Sequence, residues 1–267
     1  MEWWQALVMG IVQGLTEFLP VSSSGHLAIA GEILGADIPE DLVFEVTVHC
    51  ATVLSTIIVF RKQIWALLSD LFKFRYNDGT DYILKICVSM IPVFLVGMFL
   101  KDYVEAAFSN ILVVGVALLV TALLLFLSEK ISSRRTGEDE ARGGISYRQA
   151  FIVGLGQAVA VIPGLSRSGT TIATGLLAGV KKETVAQFSF QMVIVPILGE
   201  MFLDIVGGEM SASVIGFLPL CTGFIAAFVS GLFACKVMIA LVKKSKLRWF
   251  ALYCAVVGAV VVFLNIL

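Results

Sequence analysis

Cysteine, histidine and charge are all in short supply in this chain, and each shortage removes a class of explanation. The 267 residues contain five cysteines, Cys50, Cys87, Cys221, Cys235 and Cys254. Each stands alone in an apolar run and none has a partner at metal-ligand spacing, so they read as small packing residues rather than a disulfide or zinc framework. Only two histidines occur, His26 and His49. The N-terminus carries Glu2 and no basic residue, so no cleaved signal peptide is expected. Charged residues make up 15% of the chain and nearly cancel, leaving −1. That sum says nothing about partners, because the distribution of the charges matters more; no nucleic acid is expected. What fills the space is apolar: 58% hydrophobic residues and a mean hydropathy of +0.95 lie far outside the soluble range. Runs long enough to cross a bilayer fall at 43–60, 83–100, 111–128, 184–206, 213–241 and 249–267.

The few charges orient those runs. Of nineteen Lys and Arg, five lie between Arg61 and Lys85 and five between Lys130 and Arg148. Lys181 and Lys182 follow, then Lys243, Lys244, Lys246 and Arg248. These regions share one side if every run crosses once and the segment before Lys181 returns to the side it entered from; by the positive-inside tendency that side is cytoplasmic. The opposite loops, near 35–41, 101–110 and 207–211, hold a single Lys. Both termini then come out extracytoplasmic.

The chain also repeats itself. Residues 5–44 align without a gap onto 149–188, an offset of 144. Gln5, Gly10, Gln13, Ser22, Ser24, Gly25 and Phe44 fall on Gln149, Gly154, Gln157, Ser166, Ser168, Gly169 and Phe188. Each copy is a helical hairpin, too short to cross, followed by three crossing runs. An odd number of crossings forces the second copy to insert upside down. The expected fold is an all-α polytopic membrane protein with an inverted-topology repeat, each half a broken re-entrant helical hairpin plus three transmembrane helices. Residues 1–128 form the first repeat (hairpin 1–35), 129–146 a polar cytoplasmic linker, and 147–267 the second repeat (hairpin 147–180), within a single integral membrane domain.

Pro20 breaks the first hairpin before Ser22-Ser23-Ser24-Gly25-His26, and Pro163-Gly164 breaks the second before Ser166-Arg167-Ser168-Gly169-Thr170. Irregular backbone at membrane depth needs protein or a wet cavity around it. Each polar string opens a helix, giving hydroxyl caps and exposed N–H groups, and two such helix starts in one cavity attract an anion. Gln13 and Glu17 share a helix face, as do Ser23 and His26. Arg167 is the one basic residue deep in an apolar segment. Ionisable groups placed so expensively usually face a functional cavity with a partner; the competing reading is one buried Glu17–Arg167 ion pair that pins the hairpins. His49, on an apolar helix, reads first as a hydrogen-bonded packing residue and second as cavity wall.

From Gln13 to His26 the chain resembles the first signature of the bacterial undecaprenyl-diphosphate phosphatases of the bacitracin-resistance type. Pro163-Gly164-Leu165-Ser166-Arg167-Ser168-Gly169-Thr170-Thr171 resembles their second, and the likeness extends over essentially the whole chain. Many members open the first motif with Glu where this chain has Gln13, and an uncharged amide is expected where His49 stands. The resemblance implies hydrolysis of undecaprenyl diphosphate to undecaprenyl phosphate and inorganic phosphate, which recycles the lipid carrier of peptidoglycan synthesis. It further implies a divalent cation, Mg²⁺ or Ca²⁺, on Glu17 with help from Gln13, and a homodimer as one possible assembly. Arg167 is then expected to clamp the phosphates. Ser22, Ser24, Gly25, Ser166, Ser168, Gly169, Thr170 and Thr171 would complete the cradle. Two routes stay open: Ser23 as nucleophile with His26 as base and then acid, or attack by metal-bound water. A transporter or flippase shares the expected architecture and is the competing function. The cavity is expected to open to the extracytoplasmic side.

Overall fold

The structure, a computed structural model, describes residues 1–36, 43–100, 103, 111–132, 144–207, 215–244 and 247–266. Most of the expected linker 129–146 and of the three loops expected on the extracytoplasmic side therefore lies outside the described residues. Eleven α-helices have described bounds, and no strand occurs among the described residues.

The first hairpin is α1 (Trp3–Thr16) and α2 (Ser23–Leu34). Three long helices follow: α3 (Val43–Leu71), α4 (Asp78–Phe99) and α5 (Ile111–Ser132). The second hairpin is α6 (Tyr147–Val159) and α7 (Arg167–Leu177). After it come α8 (Lys182–Met192), α9 (Ile194–Gly207), α10 (Phe217–Lys244) and α11 (Arg248–Ile266). The hairpin helices have 11 to 14 residues, short of the about 20 needed to span a bilayer. Five helices, α3, α4, α5, α10 and α11, are long and apolar enough to cross. The expected fourth run, 184–206, is not one helix. It breaks at Val193 because Pro196 has no N–H for the Met192 carbonyl, and its ring crowds that oxygen.

Both hairpins are closed in the same way, 144 residues apart. The Glu2 N–H donates to Gln5 Oε1 (2.7 Å), and Gln5 Nε2 donates to the Leu34 carbonyl (3.1 Å). In the second copy the Ser146 N–H donates to Gln149 Oε1 (2.9 Å), and Gln149 Nε2 to the Ala178 carbonyl (3.1 Å). Packing between the halves is reciprocal: α1 lies along α10, and α6 along α4. Glycine permits both approaches. A Cβ on Gly10 would stand 2.4 Å from the Gly223 carbonyl oxygen, and one on Gly154 2.3 Å from that of Ser89, so backbones touch where small residues sit. At the centre α5 meets α2, α7 and α11. Beneath the turns, Phe18, Phe188 and Phe190 are buried in one cluster, with Phe18 edge-on to Phe190 at 6.0 Å. Outside, Phe94, Phe233 and Phe263 are each more than 60% exposed. Rings so placed on apolar helices face lipid. The chain is an all-α, multi-pass membrane protein.

Candidate active site

Two turns meet at the middle of the molecule. In the first, α1 ends at Glu17, whose N–H still donates to the Gln13 carbonyl (2.9 Å). The chain passes Pro20 and reaches Ser22, whose Oγ accepts from the Gly25 N–H (3.2 Å) and so caps α2. In the second, Ser166 Oγ caps α7 by accepting from the Gly169 N–H (3.1 Å), and the Ser166 N–H donates to Thr121 Oγ1 (3.1 Å). Gly164 has φ +84, and a Cβ there would meet the backbone of Val114 at 2.6 Å, so both conformation and space require glycine. The turns abut through repeat-related residues: an ideal Cβ on Gly25 lies 3.3 Å from Gly164 Cα, and one on Gly169 lies 3.3 Å from Pro20 Cβ. Ser168 Oγ donates across the seam to the Leu19 carbonyl (3.0 Å).

The seam gathers side chains around Glu17, whose side chain is 8% exposed. Ser23, the first residue of α2, donates its hydroxyl to Glu17 Oε2 at 2.6 Å. Gln13 Nε2 donates to the same oxygen at 3.0 Å. Arg167, the first residue of α7, places a guanidinium nitrogen 3.7 Å from Glu17 Oε1 and keeps 28% of its side chain exposed. His49 Nδ1 donates to the Glu45 carbonyl at 2.8 Å, which turns Nε2 toward Glu17 Oε2 at 3.6 Å. His49 thus stands against the carboxylate and not in plain packing: a 29-residue helix carries it past the turn.

A cavity opens beside these groups. Glu17, Arg167, Ser168, Thr52, Thr56 and Ser189 give it polar walls; Phe18, Val53, Phe190, Val193 and Ile197 give it apolar ones. The starts of α2 and α7 supply N–H groups and partial positive charge at the seam, a setting for an anion. Of the expected cradle residues, Arg167 and Ser168 line the cavity. Ser22 and Ser166 use their hydroxyls as caps, and each also lies 3.4 Å from the hydroxyl two residues on, Ser24 or Ser168. Gly25 and Gly169 donate to those caps. Thr171 Oγ1 donates back to the Arg167 carbonyl (2.8 Å) and meets Ser189 Oγ at 2.6 Å, and Thr170 Oγ1 is buried without a partner.

His26 departs from the expected Ser23–His26 pair. Its Nδ1 donates to the Ser22 carbonyl (2.7 Å), and its Nε2 meets the Tyr253 hydroxyl (2.7 Å) on α11. Both ring nitrogens are engaged away from Ser23, because the side chain tilts back along α2 to the residue four before it. The group hydrogen-bonded to Ser23 is Glu17. Tyr253, Thr52, Thr56 and Ser189 were missed from sequence, since hydroxyls on apolar helices carry no motif.

For a divalent cation the available donors are oxygens. Glu17 offers a carboxylate, and Gln13 Oε1 is buried with no hydrogen-bond partner. Among the described residues no three His, Cys, Asp or Glu side chains cluster. One carboxylate and one amide oxygen suit a hard ion that takes its remaining ligands from phosphate and water, so the donor set fits Mg²⁺ or Ca²⁺.

This arrangement of paired short hairpins, with a carboxylate, a serine and an arginine at their seam, defines an integral membrane protein with a polar, charged cluster beside an internal cavity. Residues 6–260 match the family model described as bacitracin resistance protein BacA. The chain is 53% identical to an undecaprenyl-diphosphatase of Bacteroides fragilis, covering 99% of both chains. It is 54% identical to one of Parabacteroides distasonis over 100% of both. An undecaprenyl-diphosphatase of Carboxydothermus hydrogenoformans is 36% identical over 99% of this chain and 98% of its own. The chain belongs to the bacitracin resistance protein BacA family.

Proposed function

We propose that Glu17, Ser23 and Arg167 are the catalytic centre of a lipid-diphosphate phosphatase. The protein hydrolyses undecaprenyl diphosphate to undecaprenyl phosphate and inorganic phosphate, returning the carrier to peptidoglycan synthesis. Relatives at 52–54% identity that bear this activity in their names support the reaction. The observation that carries the mechanism is the 2.6 Å hydrogen bond from Ser23 to a buried carboxylate that also faces a guanidinium.

The terminal phosphate binds beside Arg167 and the first N–H groups of α2 and α7, which neutralise it. Ser23 Oγ attacks the terminal phosphorus as its proton passes to Glu17 Oε2. The Oγ–P bond forms, the bridging P–O bond breaks, and undecaprenyl phosphate leaves with the electron pair and takes the proton from Glu17, which is again a carboxylate. Water then attacks the phosphoserine, giving a proton to Glu17, while Ser23 Oγ leaves with the P–O electron pair and is reprotonated from Glu17. Arg167 faces the charge that builds on phosphate oxygens in both steps. Glu17 and Gln13 would hold a divalent cation, which would supply further charge neutralisation when bound. Val53 on α3, with Val193 and Ile197 at the α8–α9 break, offers an apolar wall for the first prenyl unit.

In this reading the halves, 1–128 and 147–267, are inverted repeats in the bacterial cell membrane. Both termini and the mouth of the cavity lie on the extracytoplasmic side. Support comes from the repeated caps, glycine contacts and hairpin closures at the 144-residue offset, together with the charge distribution along the sequence. A homodimer is compatible with the broad apolar exterior.

The test is phosphate release from undecaprenyl diphosphate by purified protein in detergent. A Ser23→Ala variant should keep less than about a tenth of wild-type turnover, and acid-quenched wild type should carry phosphate on Ser23. A protein that only moves lipid across the membrane releases none, and an Ala variant with near-normal turnover assigns the attack to water.

A further inference from the structure

Ser23 reaches Glu17 from a backbone that resists the placement. Ser22 has φ 72 and ψ 100, a region that residues with a Cβ avoid, whereas its repeat counterpart Ser166 sits at φ −67 and ψ 116. Both serines cap their helices identically, so the cap does not demand the strain. Such a conformation persists only where its surroundings over-determine it. The additional restraint at Ser22 is His26. The Ser22 carbonyl accepts from the His26 N–H at 3.2 Å and from His26 Nδ1 at 2.7 Å. At the matching position the Thr170 N–H bonds to the Ser166 carbonyl (2.8 Å), but its hydroxyl bonds to nothing.

Donation through Nδ1 leaves Nε2 as the acceptor of the neutral ring. That acceptor meets the Tyr253 hydroxyl at 2.7 Å, and the two rings stack at 5.5 Å and 11°. The next residue, Cys254, directs its thiol to the Pro20 carbonyl (3.6 Å) in the same turn. Helix α11 therefore braces the first turn through two consecutive residues.

We propose that Tyr253 and His26 are a positioning pair: Tyr253 fixes the ring of His26, His26 holds the Ser22 carbonyl in its strained conformation, and Ser23 is thereby kept on Glu17. His26 carries no proton of the reaction. The inference rests on the assignment of Ser23 and Glu17 above.

The test compares His26→Asn with His26→Ala, both shown to be folded by thermal unfolding in detergent. The Asn amide can occupy the place of Nδ1–H but cannot exchange a proton as imidazole does. With positioning, His26→Asn stays within about tenfold of wild type, while His26→Ala loses at least about a hundredfold in kcat, the scale of a misplaced reacting group. Tyr253→Phe keeps the stacking and loses about fivefold in kcat, the worth of one hydrogen bond, with KM unchanged. Adding Ser22→Gly to His26→Ala restores about tenfold or more, because glycine adopts positive φ freely. Asn and Ala variants that are equally inactive, or no restoration by glycine, overturn the proposal. A wild type that releases no phosphate overturns the phosphatase reading instead. Nitrogen-15 spectra of the imidazoles then decide the pairing alone: an Nδ1–H tautomer whose Nε2 signal moves in Tyr253→Phe supports it, and an Nε2–H tautomer defeats it.

Discussion

Replacing Glu17 with Gln separates catalysis from folding more sharply than any other change at the seam. The substitution keeps the volume and one acceptor oxygen but removes the charge. Ser23 loses the base at 2.6 Å, and Arg167 loses its anion at 3.7 Å. General-base removal lowers rates by about 10²–10⁴-fold, or roughly 3–5 kcal/mol of barrier at 1.36 kcal/mol per decade. Stability should move far less. Glu17 is nearly buried, so discharging it relieves desolvation while giving up its attraction to Arg167, whose side chain is 28% exposed and can take up water. These effects oppose, and a net change within about 1 kcal/mol is expected. The assay is phosphate release from undecaprenyl diphosphate at saturating divalent cation, beside thermal unfolding in the same detergent. Glu17→Gln with more than about a tenth of wild-type kcat would refute the base assignment. Low activity accompanied by a large fall in Tm would mean that Glu17 is structural.

The seam and the packing can be tested without turnover. Cysteines at Pro20 and Gly169 should cross-link under mild oxidation, since their Cβ positions stand 3.3 Å apart, close to the about 3.5–4.5 Å of a disulfide; mass spectrometry of the linked peptide reads the result. Gly10→Ala and Gly154→Ala should each destabilise by about 1–3 kcal/mol, because each new methyl meets a backbone carbonyl oxygen across the halves. Gly97→Ala, with nothing within 4 Å, should leave Tm unchanged or raise it, and serves as the control for helix propensity.

Sequence patterns reached the all-α, multi-pass architecture because bilayer-length apolar runs are a strong signal in composition alone. They singled out Glu17 and Arg167, which the fold brings within 3.7 Å, because an ionisable group in an apolar segment is expensive and needs a partner. The same reasoning failed where local spacing stood in for direction. Ser23 and His26 share a helix face, yet the His26 ring leans back to the Ser22 carbonyl and leaves Ser23 to Glu17. Tyr253 lies 227 residues from His26, and no local pattern joins them. On an apolar helix His49 reads first as packing and only second as cavity wall, and the tertiary arrangement alone shows Nε2 turned to the carboxylate. The break at Val193 was legible in principle, since Pro196 stands inside the run; hydropathy alone overrode it. The hydroxyls of Ser22 and Ser166 cap their helices, as serines that open a helix after a proline-broken turn predict.

The most direct measurement is a double-mutant cycle in kcat/KM for phosphate release from undecaprenyl diphosphate, using Glu17→Gln, Arg167→Ala and the pair. Two groups gripping one headgroup act as a unit, so each single change should lose at least about a hundredfold and the double change little more than the worse single. Losses that simply multiply, or an Arg167→Ala enzyme near wild-type activity, would mean that the two hairpins do not serve a common diphosphate.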